Sequence, residues 1–564
     1  MRSSPVCRLT GTLPLALATT ACAGARPLNV AAPQTAYADT IHIPAPRARG
    51  FSEIADMIER AVVEPVERFL SPGRRVKRAS SAGKEARNLN AWDDVENSSW
   101  FEHRNGPRTL TLEEIRRGPA ANTPPAPVGS LTIVAPKSSG VTPGFRVRDA
   151  SGAQYMLKFD PLDAPELASA AEAIATRLVY AAGYHTAQTS IYTFDPSRLV
   201  ISDRARVRDA RGRERPMTQA DVDSVLRRAA RLPGGSVRSL ASRWIGGAVG
   251  SFDWEGRRAD DPNDLIRHQH RRELRGFYVI AAWLNHVDSR RGNTLDQFVG
   301  DSAGGYIRHI MLDVSSTLGS GSNRPQTPRE GAETTVQYSY VALRALTAGL
   351  YRAPWERLDT ARASASVGYY DVANFAPGAW MPLRPNPAFE ERTARDGYWG
   401  AKLVASFTDD HVRAAVAAGE YADPRAADAI LQALIQRRDA TVRHWFPRVT
   451  PIEQPAVRCD GRDLVLSFVD YGVRHGVANA ADTRYEVELR HEHAALRRRT
   501  TAATLPVRLV DALPPGAFVP WTDQERVARL TVRAVQNGHR QPPATVFLLF
   551  EPERGCYRAA GLAH

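Results

Sequence analysis

The 564-residue sequence predicts an α+β protein with a strand-rich segment, a helix-rich segment and a separate all-β segment. Three observations carry this. Apolar and polar residues alternate with a period of two through 131–159, and a single helical repeat follows at 164–182. Helical spacing then dominates between 218 and 445. From 455 onward the period-two alternation returns. Hydrophobic content of 43% and charged content of 24% are ordinary for a folded chain, and the length calls for several domains. The net charge of +13 is scattered along the chain rather than striped. It reads as an Arg-rich background, and no nucleic-acid partner is expected.

Residues 1–22 read as an export signal of lipoprotein type. Arg2 and Arg8 flank a small-polar start, and the apolar core Leu13–Ala18 is too short to span a bilayer. Thr19-Thr20-Ala21-Cys22 resembles a bacterial lipoprotein box, with lipid on Cys22. This predicts a lipid anchor in the bacterial cell envelope, in the periplasm or on the outer-membrane face. Cleavage near Ala21 or Ala25, giving a secreted product, is the alternative. Residues 23–50 are rich in Ala, Pro and Thr and read as a flexible tether. Residues 51–129 read as a helical and irregular extension. In it, Ser52 caps a helix that Pro65 kinks and Pro72-Gly73 ends, before a basic solvated loop from Arg74 to Arg87.

Strands are expected at 131–134, 145–148, 155–159, 189–194 and 199–202, and the 164–182 helix is closed by Gly183. Helices are expected at 218–231 (capped by Thr218), 269–285, 338–350, 400–418 and 424–445. In the 269–285 helix, Arg271, Arg272, Glu273 and Arg275 mark one side; Leu274, Phe277, Tyr278, Ile280 and Leu284 mark the buried side. Alternation at 464–468, 485–489, 527–535 and 545–550 gives residues 455–564 the look of a β-sandwich. An exported chain invites a disulfide between Cys459 and Cys556, with two buried free thiols as the alternative.

Chemistry concentrates in His286-x-Asp288-x-x-x-x-Asn293, followed by an apolar strand that ends at Asp313. A hairpin from Thr294–Val299 to Tyr306–Leu312 brings Asn293 and Asp313 side by side. Two hard oxygen ligands so placed suit magnesium bound against phosphates, and Asp288 is placed to take the proton of an attacking hydroxyl. Upstream, Lys158 sits in an apolar strand and calls for a carboxylate partner from the next helix. Glu172 is the candidate, with Glu166 as alternative. Backbone N–H groups around Gly140 and Gly144 suit the covering of phosphates.

Strand Lys158, helix Glu172, the Asp288–Asn293 loop and Asp313 together resemble the protein-kinase-like superfamily, in its HipA-like and phosphoinositide-kinase-like branches. The resemblance covers about residues 130–450. It implies a two-lobed fold with an N-lobe over 130–202 and a C-lobe with insertions over 203–450, followed by the β-sandwich domain. It further implies Mg2+ with ATP or another nucleoside triphosphate, and a hydroxyl-bearing acceptor of unknown class. Lys158, Glu172 and Asp288 are the implied catalytic residues. Gly140, Gly144 and Lys158 are implied to hold nucleotide, and Asn293 and Asp313 metal. The chain departs from the family pattern at Val314-Ser315, where Phe-Gly is usual, and at Val287, where Arg is usual. A catalytically inactive lipoprotein that uses this fold as a binding or scaffold module is the alternative.

Other clusters read as structural. His268 and His270 stand two apart, which on a helix points the rings away from each other rather than toward one zinc ion. Asp260, Asp261 and Asp264 read as a solvated turn. Ser315 and Ser316 near His309 lack a nucleophile-elbow motif. Trp92, Trp100, Trp244 and Trp254 read as core or interface residues, and Arg497-Arg498-Arg499 as a solvated loop.

Overall fold

Alternation places Leu131, Ile133, Phe145, Val147, Tyr155, Leu157 and Phe159 on one face of a six-stranded sheet. In the computed structural model these residues form a core with Val222 and Leu226 of the helix Gln219–Leu226. The strands are β1 (Leu131–Pro136), β2 (Gly144–Arg148), β3 (Gln154–Phe159), β4 (Thr189–Phe194), β5 (Leu199–Ile201) and β6 (Val237–Arg243). Their order is β4-β6-β3-β2-β1-β5, all antiparallel except β1 with β5. The structure describes residues 39–50, 58, 59, 63, 84–120, 126–137, 140–209, 212–491, 497–513 and 526–564. The expected signal peptide with Cys22, most of the tether, all of the kinked helix at 52–70 except residues 58, 59 and 63, and the basic loop at 74–83 lie outside these residues.

Between β3 and β4 runs α1 (Leu167–Ala181), in which every residue but Tyr180 is buried. Its Ala-rich sequence lets the sheet approach on one side and the helical core on the other. Asp160, just past β3, caps its first turn by accepting from Ala168 N at 2.9 Å, Ser169 N at 2.8 Å and Ser169 Oγ at 2.6 Å. Strand β3 and helix α1 are therefore locked in register. Gly183 takes a φ of +120°, and a Cβ there would overlap the Phe101 ring.

The second sheet has β7 (Thr294–Asp301) and β8 (Gly304–Met311) at its centre, flanked by Ala248–Gly250 and by His185–Thr186. Four helices build the main apolar core around it: α2 (Arg272–Leu284), α3 (Ala394–Ala405), α4 (Asp409–Ala417) and α5 (Pro424–Trp445). Helices α2 and α3 cross at glycines. A Cβ on Gly276 would overlap the Trp399 ring, and one on Gly400 would stand 2.6 Å from Gly276 O. Residues 84–120 wrap this core and insert Trp100 and Phe101. Among the described residues no helix is long and apolar enough to cross a membrane.

Several elements differ from expectation, each for a physical reason. Helix α2 has no solvent side: Arg272 and Arg275 are fully buried, because Asp93, Asp396 and Glu391 pair with them at 2.8–3.3 Å. The expected helix at 400–418 is two helices, since Thr408 caps α4 with its own capping box. The 218–231 helix stops at Leu226, because Ala229 and Arg231 bridge to Pro161 and Val237. The 338–350 helix ends at Leu346. Asp261 and Asp264 are buried: Asp264 accepts from Arg258 N and pairs with His268 at 2.8 Å. Trp92 and Trp244 stay exposed, whereas Trp100 and Trp254 are core. Arg497–Ala502 is an edge strand, not a loop.

The C-terminal strands begin at Ile452 and form two sheets. One runs in the order Ile452–Asp460, Asp463–Asp470, Val507–Leu509. The other runs Arg497–Ala502, Arg484–His491, Val527–Gln536, Ala544–Glu551, Cys556–Ala563. Leu464, Leu466, Val487, Leu530, Val546 and Leu548 share one core between them. A disulfide joins Cys459 to Cys556 with Cα atoms 5.8 Å apart. Charged contacts fasten this segment to the helices. Glu453 accepts from Lys402 Nζ at 2.7 Å and Tyr398 Oη at 2.9 Å. His564, its side chain 1% exposed, meets Asp93 Oδ2 at 2.9 Å.

Candidate active site

Register brings the candidate residues together. Lys158 is the next-to-last residue of β3 and lies opposite Gly144 on β2, on the face that looks toward α1. Its ammonium donates to Glu172 Oε1 at 2.8 Å and Oε2 at 2.9 Å. The same ammonium lies 2.9 Å from Asp313 Oδ1. Glu166 plays no part in this contact. It precedes α1 in a left-handed conformation and accepts from Ala422 N.

Asp313 follows β8 with a φ of +50°, which turns the chain so that Ser315 Oγ donates back to Oδ1 at 2.7 Å. Ser322 Oγ extends this hydroxyl chain, 2.8 Å from both Ser315 Oγ and Ser316 Oγ. The Asp313 side chain keeps 29% exposure, so it is the more open of the two carboxylates on Lys158. Val314 is buried in the helical core.

The Asp288–Asn293 loop is tied to the same strand end. Helix α2 terminates at Asn285, left-handed at φ +53°. Its amide is held by Gln326 Oε1 at 2.7 Å and by Trp380 Nε1 at 2.7 Å. His286 is buried, and burial pushes its imidazole below the usual range, leaving it neutral. Asn293 Nδ2 donates to Asp288 O at 2.7 Å and to Asp288 Oδ2 at 3.0 Å. Both amide hydrogens are thereby spent on Asp288, which leaves the Asn293 carbonyl oxygen for a cation. Leu312 N donates to Asn293 O at 2.9 Å, so Asn293 and Asp313 flank one point at the open end of the β7–β8 hairpin. Arg290 Nε lies 3.0 Å from Asp288 Oδ1 and 3.1 Å from Oδ2.

One ammonium shared by two carboxylates sets the electrostatics. Burial would lower the Lys158 pKa, but Asp313 and Glu172 outweigh it and hold the ammonium charged. Burial pushes Glu172 up to about 7 against the pull of Lys158. Burial would raise Asp313 too, yet Lys158 and the Ser315 hydroxyl hold it below the usual carboxylate range. The hard oxygen donors here, the Asp313 carboxylate and the Asn293 side-chain oxygen, fit magnesium.

Two residues that matter here are not in the sequence reading. Lys137 follows β1; a Cβ on Gly140 would stand 2.8 Å from its ammonium and one on Gly144 3.4 Å from its Cδ. Its charge also acts on Glu172 and Asp313. Its signal was a lysine at the mouth of the glycine-containing turn. Asp160 left no signal beyond its position after β3. Gly140 adopts φ +73°, and a Cβ on Gly144 would overlap the Leu157 carbonyl oxygen. The histidines are placed structurally: His268 on Asp264, His270 on Glu391 and His309 on Asp296.

No protein-family model matches the chain, and no curated protein matches it. Among solved structures it is weakly similar to the crystal structure of the Golgi casein kinase, with a TM-score of 0.29 and 8% identity over 59% of this chain and 74% of that one. The Golgi casein kinase with Mn/ADP bound gives a TM-score of 0.29 and 7% identity over the same shares.

Proposed function

We propose that this chain is a two-lobed, protein-kinase-like phosphotransferase carrying a C-terminal β-sandwich domain. In this reading it moves a phosphoryl group from a magnesium-bound nucleoside triphosphate to a hydroxyl acceptor. One observation carries it: the Lys158 ammonium lodged between Glu172 and Asp313, beside a loop whose Asp288 and Asn293 are bonded to each other and to the same strand end. In this reading the N-lobe runs on past the expected boundary at 202, because β6 (Val237–Arg243) and the Gln219–Leu226 helix belong to its sheet and core, and the C-lobe is the remainder to 450, with the cluster between them.

Lys158, oriented by Glu172, neutralises the donor phosphates, and Lys137 with the turn through Gly140 and Gly144 covers them. Asn293 Oδ1 and Asp313 would hold magnesium, which would neutralise charge on the phosphates. Asp288 orients the acceptor hydroxyl and takes its proton. The acceptor oxygen bonds to the terminal phosphorus, the bond from that phosphorus to its bridging oxygen breaks, and a nucleoside diphosphate leaves. Export and lipid attachment at Cys22 belong to the same proposal; palmitate labelling of wild type and Cys22→Ala tests them.

A second reading, an inactive scaffold on this fold, draws on Arg290, whose guanidinium sits across both Asp288 oxygens. Thermal shift with ATP, with and without magnesium, is the primary test. The expected result is a magnesium-dependent shift in wild type that Asp313→Asn abolishes. No shift with any nucleoside triphosphate would sink the phosphotransferase. Asp288→Asn is expected to keep nucleotide binding and slow transfer by about 10²–10⁴-fold. Unchanged transfer in that variant would remove Asp288 from its role.

A further inference from the structure

A cavity of about 370 Å³ opens where α1 ends against β6 and β8. Arg104, Arg243, Arg308, His185, Thr186 and Gln188 line it, with Glu102 as the one acid in its wall. None of Lys158, Glu172, Asp288, Asn293 or Asp313 does. Arg104 is held by Glu102 Oε2 at 2.8 Å, Tyr180 O at 2.7 Å and Tyr184 O at 2.9 Å. Among the described residues no carboxylate pairs with Arg243 or Arg308, whose side chains remain partly exposed. The wall thus carries two uncompensated positive charges.

Its polar atoms are also unspent. Arg104 Nε, Thr186 Oγ1 and Gln188 Oε1 are buried without a hydrogen-bond partner. Orphaned buried groups are rare in folded proteins, and three in one wall mark a place that something polar completes. The His185 imidazole is driven down to about 3 by burial, with the guanidinium groups of Arg104 and Arg308 adding to it. It therefore stays neutral and contributes dipoles rather than charge. Guanidinium forks match the oxygens of a phosphate, and two spare charges match its dianion.

We propose that this cavity is a second ligand site that binds a phosphate dianion, either inorganic phosphate or the phosphate group of a small soluble phosphomonoester. It is independent of the phosphotransferase reading, because none of that cluster's residues line it. Its walls nevertheless include the last turn of the helix bearing Glu172 and the strand leading to Asp313, so an occupant braces both.

The test is calorimetric titration of the full chain with inorganic phosphate and with glycerol 1-phosphate. The expected result is binding of at least one probe, weakened about tenfold or more by Arg243→Gln and by Arg308→Gln and left intact by Asp313→Asn. Tighter binding of the ester assigns the rest of the cavity to its organic part. Among the described residues the Arg308 side chain donates only to the Tyr306 hydroxyl, at 2.9 Å, so its loss is expected to spare the fold, and Arg308→Lys is expected to restore part of the affinity. No binding of either probe would overturn the proposal. So would binding that Asp313→Asn abolishes and the arginine variants leave intact.

Discussion

Replacing Lys158 with Met removes the one cation that two carboxylates share. Glu172 and Asp313 keep side-chain exposures of 4% and 29%, and Glu172 is left buried without the ammonium that donates to both its oxygens, although Lys137 still acts on it. Orphaning one member of a buried pair costs about 3–5 kcal/mol, equivalent to about two to four pKa units on the stranded carboxyl. Glu172 already stands near 7 with Lys158 present, so without it the carboxyl binds a proton at neutral pH. A carboxyl raised above its unfolded value of 4.5 is harmless where both states are protonated and destabilises as pH climbs toward the folded value. Lys158→Met is therefore expected to cost about 3–5 kcal/mol at pH 8.5 and about 1 kcal/mol at pH 5, read from urea unfolding followed by tryptophan fluorescence. Adding Glu172→Leu is expected to recover at least half of the loss at pH 8.5. A cost below about 1 kcal/mol at pH 8.5, or one that grows on acidification, would refute the shared-cation account.

Three further outcomes follow from packing. Asp93 lies below the usual carboxylate range because Arg272, His564 and Arg395 outweigh its burial. Its contribution is present above the unfolded pKa and lost on acidification, so Asp93→Asn is expected to cost about 3–5 kcal/mol at pH 7 and to flatten the acid-unfolding curve. Gly276→Ala drives a methyl into the Trp399 ring and is expected to cost about 1–3 kcal/mol in the same urea assay. Reducing the disulfide reopens a 97-residue span, and the chain-entropy model sets the loss at about 4–5 kcal/mol for the C-terminal segment, measured by denaturation with and without reductant.

Legibility in the sequence tracked periodicity. Strands β1 to β4 show because apolar residues recur at every second position, and α5 shows because its period of 3.6 is uninterrupted and Asp423 caps it. Strand β6 does not show: Arg238, Ser239, Ser242 and Arg243 break the alternation, although its position between β3 and β4 buries six of its seven residues. Helix α2 misleads for the opposite reason. Its arginines look like a wet face, and only distant acids, Asp93 and Asp396, make them core. Asp288, Asn293 and Asp313 stand out because hairpin geometry fixes their neighbourhood from spacing alone. Lys137 and the cavity of arginines do not, since Arg104, Arg243 and Arg308 come from three remote stretches that no local pattern connects.

The Cys459–Cys556 cross-link joins the opening strand of the C-terminal segment to its closing strand. It acts as a clasp under mechanical load. Everything between the two sulfurs can unravel while both ends stay gripped, and Glu453 and His564, the contacts that fasten this segment to the helices, lie just outside the clasp. Traction on the two ends would load the cross-link and bypass the 97-residue span it encloses.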